Sequence, residues 1–471
     1  MRMFPKSTPA RPFALLALLA VAVVLHAPVR AGSPGDAAST MPGLVEPMLS
    51  PAFWIDRLDA PDAPLLDRAG IAAQDARMRR LDNTLHDPLA LPRSLDRAAV
   101  TARIAGLSAR PSQPRYTVDG ALDAAALDAL ESTLALDAIP ESVTPRTGLV
   151  LRRADLRAFP TSQPVFSRPG DTAIDRFQED ALFPGAPVAV LHTSRDGAWY
   201  FVVSERYTAW IERAHVVLGP HETVAAYVAR AAKGLVVTGA TARTVHTPEV
   251  PAVSDVQLEM GVRVPRLDWP ADTPLNGQLP GYGYVVELPV RGDDGALAFA
   301  PAAIPRAADV ATDVLPLTRA HLIGQAFKFL GERYGWGHRY NARDCSGFVS
   351  EIYRSVGVLL PRNTSAQSVS PALDRIEVAP GTPYAQRLQL LRDADVGDMV
   401  FIPGHVMLVI GHVDGEPWVI HDTAGTHLRE PDGTIRRQAL NGVVVTPMTP
   451  LLADADGTRM IDRITSIQRV R

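Results

Sequence analysis

The chain has 471 residues, with 47 Lys and Arg against 51 Asp and Glu and a formal net charge of −4. That balance provides no basic field for nucleic acid, and the length suits roughly three domains, or four if some are small. The one cysteine, Cys345, excludes an internal disulfide framework.

Arg2, Lys6 and Arg11 precede an apolar run from Phe13 to Leu25, followed by Val29-Arg30-Ala31. This is the pattern of a signal peptide over residues 1–31, cleaved after Ala31, and the run is too short to span a bilayer comfortably. An uncleaved anchor is the competing reading. The expected product is exported, periplasmic or associated with the cell wall, and without stable membrane insertion once the leader is removed.

Residues 32–44 are rich in Gly, Ser, Ala and Pro and read as a mobile arm. Residues 45–158 read as mainly helical, with candidate helices over Asp67 to Leu81 and Leu122 to Leu136, kept short by Pro88, Pro92, Pro111 and Pro114. They hold no catalytic constellation, so a structural unit that wraps its neighbours is expected. From residue 159 to 219 the texture changes to short alternating runs, 187–192, 198–203 and 207–211, with Asp196-Gly197 as a hairpin turn. Such spacing favours a small barrel. Trp199, Tyr200 and Trp210 are either its core or a ligand-binding surface. A second β segment, 220–301, carries runs at 235–237, 262–267, 284–288 and 296–299, and a Pro- and Ala-rich linker, 302–317, leads to the last domain, 318–471.

That domain opens with an amphipathic helix from Arg319 to Gly331. Apolar residues Phe348, Val349, Ile352, Tyr353 and Val356 then recur at helical spacing from Cys345, which puts the thiol in a first helical turn with Asp344 as N-cap. A helix N-terminus favours the thiolate, the reactive form. Amide hydrolysis also needs an acid to protonate the leaving amine, and His is suited to that near neutral pH. His405 starts the strand Gly404 to Ile410, and the next strand, Trp418 to Asp422, carries His421. Antiparallel pairing would bring the two together, whereas His412 reads as a solvated turn residue. A helix-borne Cys followed by a strand-borne His and a polar residue one strand later is the order of papain-like thiol hydrolases.

Asp344-Cys345-Ser346-Gly347-Phe348-Val349 is preceded by Tyr334-Gly335-Trp336-Gly337 and followed by Leu360 to Gln367, Gly397 to Phe401 and Gly404-His405-Val406. Over about residues 318 to 450 these motifs resemble the NlpC-type bacterial cell-wall cysteine peptidases. The runs between 159 and 301, including Ala209-Trp210-Ile211, resemble bacterial SH3-like domains. The resemblance implies a multidomain α+β protein, with a papain-like thiol hydrolase domain preceded by two small SH3-like β-barrels and a mainly helical amino-terminal domain.

It also implies roles. Cys345 would be the nucleophile, His405 the general base and acid, and His421 the orienting third residue. Tyr334 would form the oxyanion hole with the Cys345 N–H, a donor typically worth ~3 kcal/mol. Asp344, Ser346, Arg362 and Ser365 would bind substrate, Asp344 by pairing with the amine of a stem peptide when it is not simply a helix cap. Arg339, Arg343 and Arg362 would attract substrate carboxylates or else be solvated surface residues. Two departures bear on substrate fit: Asn363 where many relatives carry Asp, and Gly337-His338 where many carry Gly-Gly. The segment Asp175 to Asp180 is a candidate wall of the cleft.

The expected activity is hydrolysis of a peptidoglycan stem-peptide amide, γ-D-glutamyl to diamino acid, by a monomer that needs no cofactor or metal. A cell-wall-binding scaffold, or an amidase or acyltransferase of the same thiol fold, are the alternatives.

Overall fold

The computed structural model describes residues 41–471; the leader and most of the arm lie outside the described residues. The end of the arm departs from expectation. Met41 is buried and Leu44 packs on two cores, because Gly43, at φ +76°, turns the chain against the Trp418 ring.

Four helices follow, Pro51–Ile55, Arg68–Leu81, Arg97–Leu107 and Ala124–Thr133. The last three begin at Asp67, Asp96 and Asp123, each accepting a backbone N–H three residues on, so these aspartates are N-caps that satisfy orphan donors. The helices do not form one core of their own. Trp54, Ile71 and Met78 pack with the catalytic domain, whereas Val100 and Ile104 pack with the first barrel.

That barrel is a seven-stranded antiparallel sheet in the order Val216–Leu218, Arg146–Val150, Pro187–Thr193, Trp199–Val203, Thr208–Glu212, Ala154–Arg157 and Gln178–Leu182. Residues 146–157, assigned above to the helical segment, are two of its strands. Trp199, Tyr200 and Trp210 are buried, with Trp210 edge-on to Phe201 at 5.3 Å. They are barrel core and leave little surface for a ligand.

In the second β unit Leu235–Val237 runs between Arg263–Val264 and Val310–Ala311, beside a long hairpin of Gly283–Arg291 and Leu297–Pro305. The expected linker 302–317 thus supplies strand residues at 302–305 and 310–311. Ala181 and Phe183 of the first barrel enter this unit's core, so the barrel and the second β unit share apolar surface.

The last domain is a six-stranded antiparallel sheet in the order Asp374–Glu377, Ser466–Arg469, Met399–Ile402, His405–Val413, Glu416–Arg429 and Ile435–Pro447. The helix Cys345–Ser355 packs across His405–Val413 and Glu416–Arg429. The opposite face of the sheet is covered by a second core that includes the helix Tyr384–Arg392. Burial on both faces fixes strand register, since a one-residue slip would invert every side chain.

Candidate active site

The site starts from the helix Cys345–Ser355. Asp344 accepts the Gly347 N–H at 2.8 Å, capping it. Phe348, Val349, Ile352, Tyr353 and Val356 are all buried, and the Tyr353 hydroxyl donates to the Gly397 carbonyl at 2.5 Å. The helix is therefore held along its length, and its first residue, Cys345, is held with it.

Ile402 pairs with His405 across the tight Pro403-Gly404 turn, where Gly404 adopts φ +79°. Leu408 pairs with Ile420 on the next strand, and this register brings His421 beside His405. His405 Nε2 lies 2.8 Å from His421 Nδ1, and His421 Nε2 lies 3.1 Å from Thr446 Oγ1. The Val406 N–H, one residue past His405, lies close enough to Cys345 to favour its thiolate. Cys345, His405 and His421 therefore converge. With His405 Nε2 donating to His421 and His421 Nε2 donating to Thr446, His405 Nδ1 is left free as the proton acceptor. Thr446 went unnoticed in the sequence because it lies two strands from His405 and carries no motif.

The resting charge state differs from the expected thiolate. Burial, reinforced by Asp344, pushes the Cys345 thiol up to about 12 despite the Val406 N–H. Burial pushes His405 down to about 4, and burial with the His405 charge holds His421 well below the usual imidazole range. The pair rests as neutral thiol and neutral imidazole; burial outweighs the helix terminus. Tyr334 is half-buried, and burial next to Cys345 and Asp344 raises its hydroxyl well above the phenol range, so it stays a donor.

Two expected substrate contacts have no spare hydrogen-bonding groups. Arg362 is 2% exposed. Its Nε donates to Asp180, its Nη1 to Asp344 and Ser346, and its Nη2 to Asp344 and contacts His338. Four of its N–H groups are thus spent on Asp180, Asp344 and Ser346, and the fifth faces His338, so Arg362 acts as a positioning residue. Asp344 is buried too and accepts from the Gly337 and Gly347 N–H groups as well as from Arg362. Burial opposes its ionisation, but the Arg362 guanidinium holds the carboxyl below the usual range. Ser346 is buried and donates to Asp344, while Ser365 is exposed. Arg343 is neither solvated nor free, being spent on Glu332 and Glu351, and Arg339 pairs with Asp155 of the first barrel. His412 lies within the strand, with Nε2 against the Leu391 carbonyl.

The departure at His338 is explained by the first barrel. Gly337, His338, Tyr340 and Asn341 all adopt left-handed backbone. Gly337 leaves no room for a Cβ against the Glu179 backbone, and Trp336 Nε1 donates to the Gln178 carbonyl at 3.0 Å. His338 is fully buried, with Nδ1 2.9 Å from Asp180 and Nε2 3.0 Å from Glu351. It faces the interface between barrel and helix, and not a substrate. The segment Asp175 to Asp180 is likewise no free loop, because Asp175, Gln178 and Asp180 are buried; only Arg176 and Glu179 keep accessible side chains.

Asp422 is the other residue that sequence reasoning passed over. It is fully buried with neither carboxyl oxygen partnered, and burial, with Asp344 and Glu332 nearby, pushes it up to about 9.

Residues 331–445 match the model of the NlpC/P60 family, and residues 164–212 match that of the SH3 domain of SH3b1 type. A probable endopeptidase of Corynebacterium glutamicum strain R is 36% identical over 121 residues, covering 25% of this chain and 48% of that protein. A second, from C. glutamicum strain ATCC 13032, is 39% identical over 87 residues, covering 18% and 34%. The chain thus spans less than half the length of either curated relative. Among solved structures, one described as a novel NlpC/P60 endopeptidase from Photobacterium damselae subsp. piscicida has a TM-score of 0.69 over 88% of this chain and 96% of that one, at 15% identity. That likeness is one of fold.

Proposed function

Because the chain carries an NlpC/P60 domain of papain-like fold behind a bacterial SH3 domain, in a multidomain α+β protein, we propose that it is an exported cysteine peptidase that hydrolyses stem-peptide amides of peptidoglycan. The observation that carries this reading is the relay from Thr446 through His421 to His405, on the strand against which the Cys345 helix packs.

Cys345 Sγ attacks the scissile carbonyl as its proton passes to His405 Nδ1. The oxyanion is received by the Cys345 N–H and the Tyr334 hydroxyl. His405 then protonates the leaving amine, the thioester forms, and water activated by His405 releases the acid. Since resting thiol and imidazole are both neutral, the proton moves during attack. His421 fixes the imidazole orientation and stabilises the imidazolium that forms.

The γ-D-glutamyl to diamino-acid bond is the proposed target. Exposed Ser365 is kept as a substrate contact, and the accessible Glu179, accepting from the Tyr207 hydroxyl, is the barrel's contribution to the cleft wall. The burial of Trp199, Tyr200 and Trp210 gives the scaffold alternative little surface.

The test is incubation of the purified protein and of Cys345→Ala with muropeptides, read by mass spectrometry. The wild type is expected to release a fragment cut at one stem-peptide amide and the variant none. Intact stems in both would refute the hydrolase.

A further inference from the structure

Behind the catalytic helix, where the helical segment, both β units and the catalytic domain meet, lies a cleft of about 390 Å³. None of Tyr334, Cys345, His405 or His421 lines it. Its size suits a small ligand. Apolar walls come from Phe183, Val228, Val262 and Val358, and the polar lining includes Arg79, Arg206, Arg263 and Arg354.

The carboxylates that share the lining are already engaged. Asp180 is held by Arg362 and His338, Glu205 by Arg79, and Asp75 accepts the Leu359 N–H at 2.9 Å. The remaining arginines have only neutral partners at hydrogen-bonding distance. Arg206 donates to Ser350 Oγ, Arg263 to the Ala232 carbonyl and Arg354 to the Met260 carbonyl, each at 3.0 Å. The nearest carboxylate to Arg354, Glu351, is 3.7 Å away and bonded to Arg343 and His338. Arg354 Nε is buried with no partner at all. Arg206 and Arg354 repel one another in this partly desolvated cleft, Arg263 lines the same space, and each of the three keeps N–H groups to spare.

We propose that this cleft binds a small oxyanion, a carboxylate or a phosphate, held between Arg206, Arg263 and Arg354. Planar guanidinium forks suit both groups, bonding them through paired N–H donors. Burial and the Arg206 charge depress Arg354 to about 10, and burial also lowers Arg263; an anion in the cleft relieves both. The three arginines come from the first barrel, the second β unit and the catalytic helix, so the bound anion ties all three together.

Isothermal titration of the full-length mature protein with sodium phosphate and, separately, sodium succinate, at an ionic strength fixed with chloride, tests this. At least one anion is expected to bind saturably with unit stoichiometry; tighter binding of phosphate or of succinate identifies the group the site is built for. Arg206→Gln and Arg263→Gln are each expected to weaken that binding by about tenfold or more. Absence of binding by the wild type to either anion overturns the proposal without recourse to any variant. Equal binding by wild type and by variants whose circular dichroism is native overturns it too.

Discussion

Cys345 and His405 are both desolvated, which sets their resting charge. A thiol raised to about 12 is alkylated slowly at neutral pH, because only the thiolate reacts. The rate of modification by iodoacetamide, followed by intact mass, is expected to climb still at pH 9; a plateau below pH 7 would reveal a preformed thiolate–imidazolium pair instead. Asp422 gives a second prediction. Its folded pKa of about 9 exceeds the unfolded value of 3.8, so between those values the folded state binds the extra proton and stability falls as pH rises. Asp422→Asn removes that loss and is expected to raise Tm at pH 8 by more than at pH 5. Equal shifts at the two pH values would show that the carboxyl is ionised in the fold.

Among elements, the nucleophile helix was the most legible. Its apolar period, its Asp344 cap and its start at Cys345 follow from local spacing, and all three are present. The partly left-handed stretch 337–341 was not legible, since non-glycine residues take that backbone only when contacts outside the segment compensate the strain. Those contacts come from the first barrel, through Asp180, Gln178 and Asp155. Arg362 is the centre of that junction. Arg362→Met would leave Asp180 and Asp344 buried without their counter-charge and is expected to cost about 3–5 kcal/mol, read from denaturant midpoints. A change no larger than that of a surface arginine would mean the junction is hydrated.

Across the whole molecule, the amino-terminal helices act as a brace for the catalytic sheet. Trp54 is fully buried, its Nε1 donating to the Met48 carbonyl at 2.9 Å and its ring 5.8 Å from Trp418. It lies over Gly411, where a Cβ would come within 3.2 Å of the ring. Trp54→Ala is expected to destabilise by about 3–5 kcal/mol and to lower the temperature at which cleavage is lost, although Trp54 touches no site residue. Unchanged thermal inactivation would show that the brace contributes nothing to the catalytic domain.

What the sequence determined by itself was whatever depends on local order: the helix that bears Cys345, the strands that bear His405 and His421, the barrel hairpin, and the motifs that identify the family. Periodicity and turn residues carry that information because hydrogen bonding and side-chain direction repeat over a few residues. Only the tertiary structure decided which charged residues are buried. Arg343, Arg362 and His338 read as surface or substrate groups along the chain, yet they are interior: Asp180 of the first barrel meets Arg362 and His338, and the buried Glu351 of the catalytic helix meets Arg343. Burial then sets the charge of Cys345, His405 and Asp422, and desolvation belongs to the assembled interior, not to any stretch of the chain.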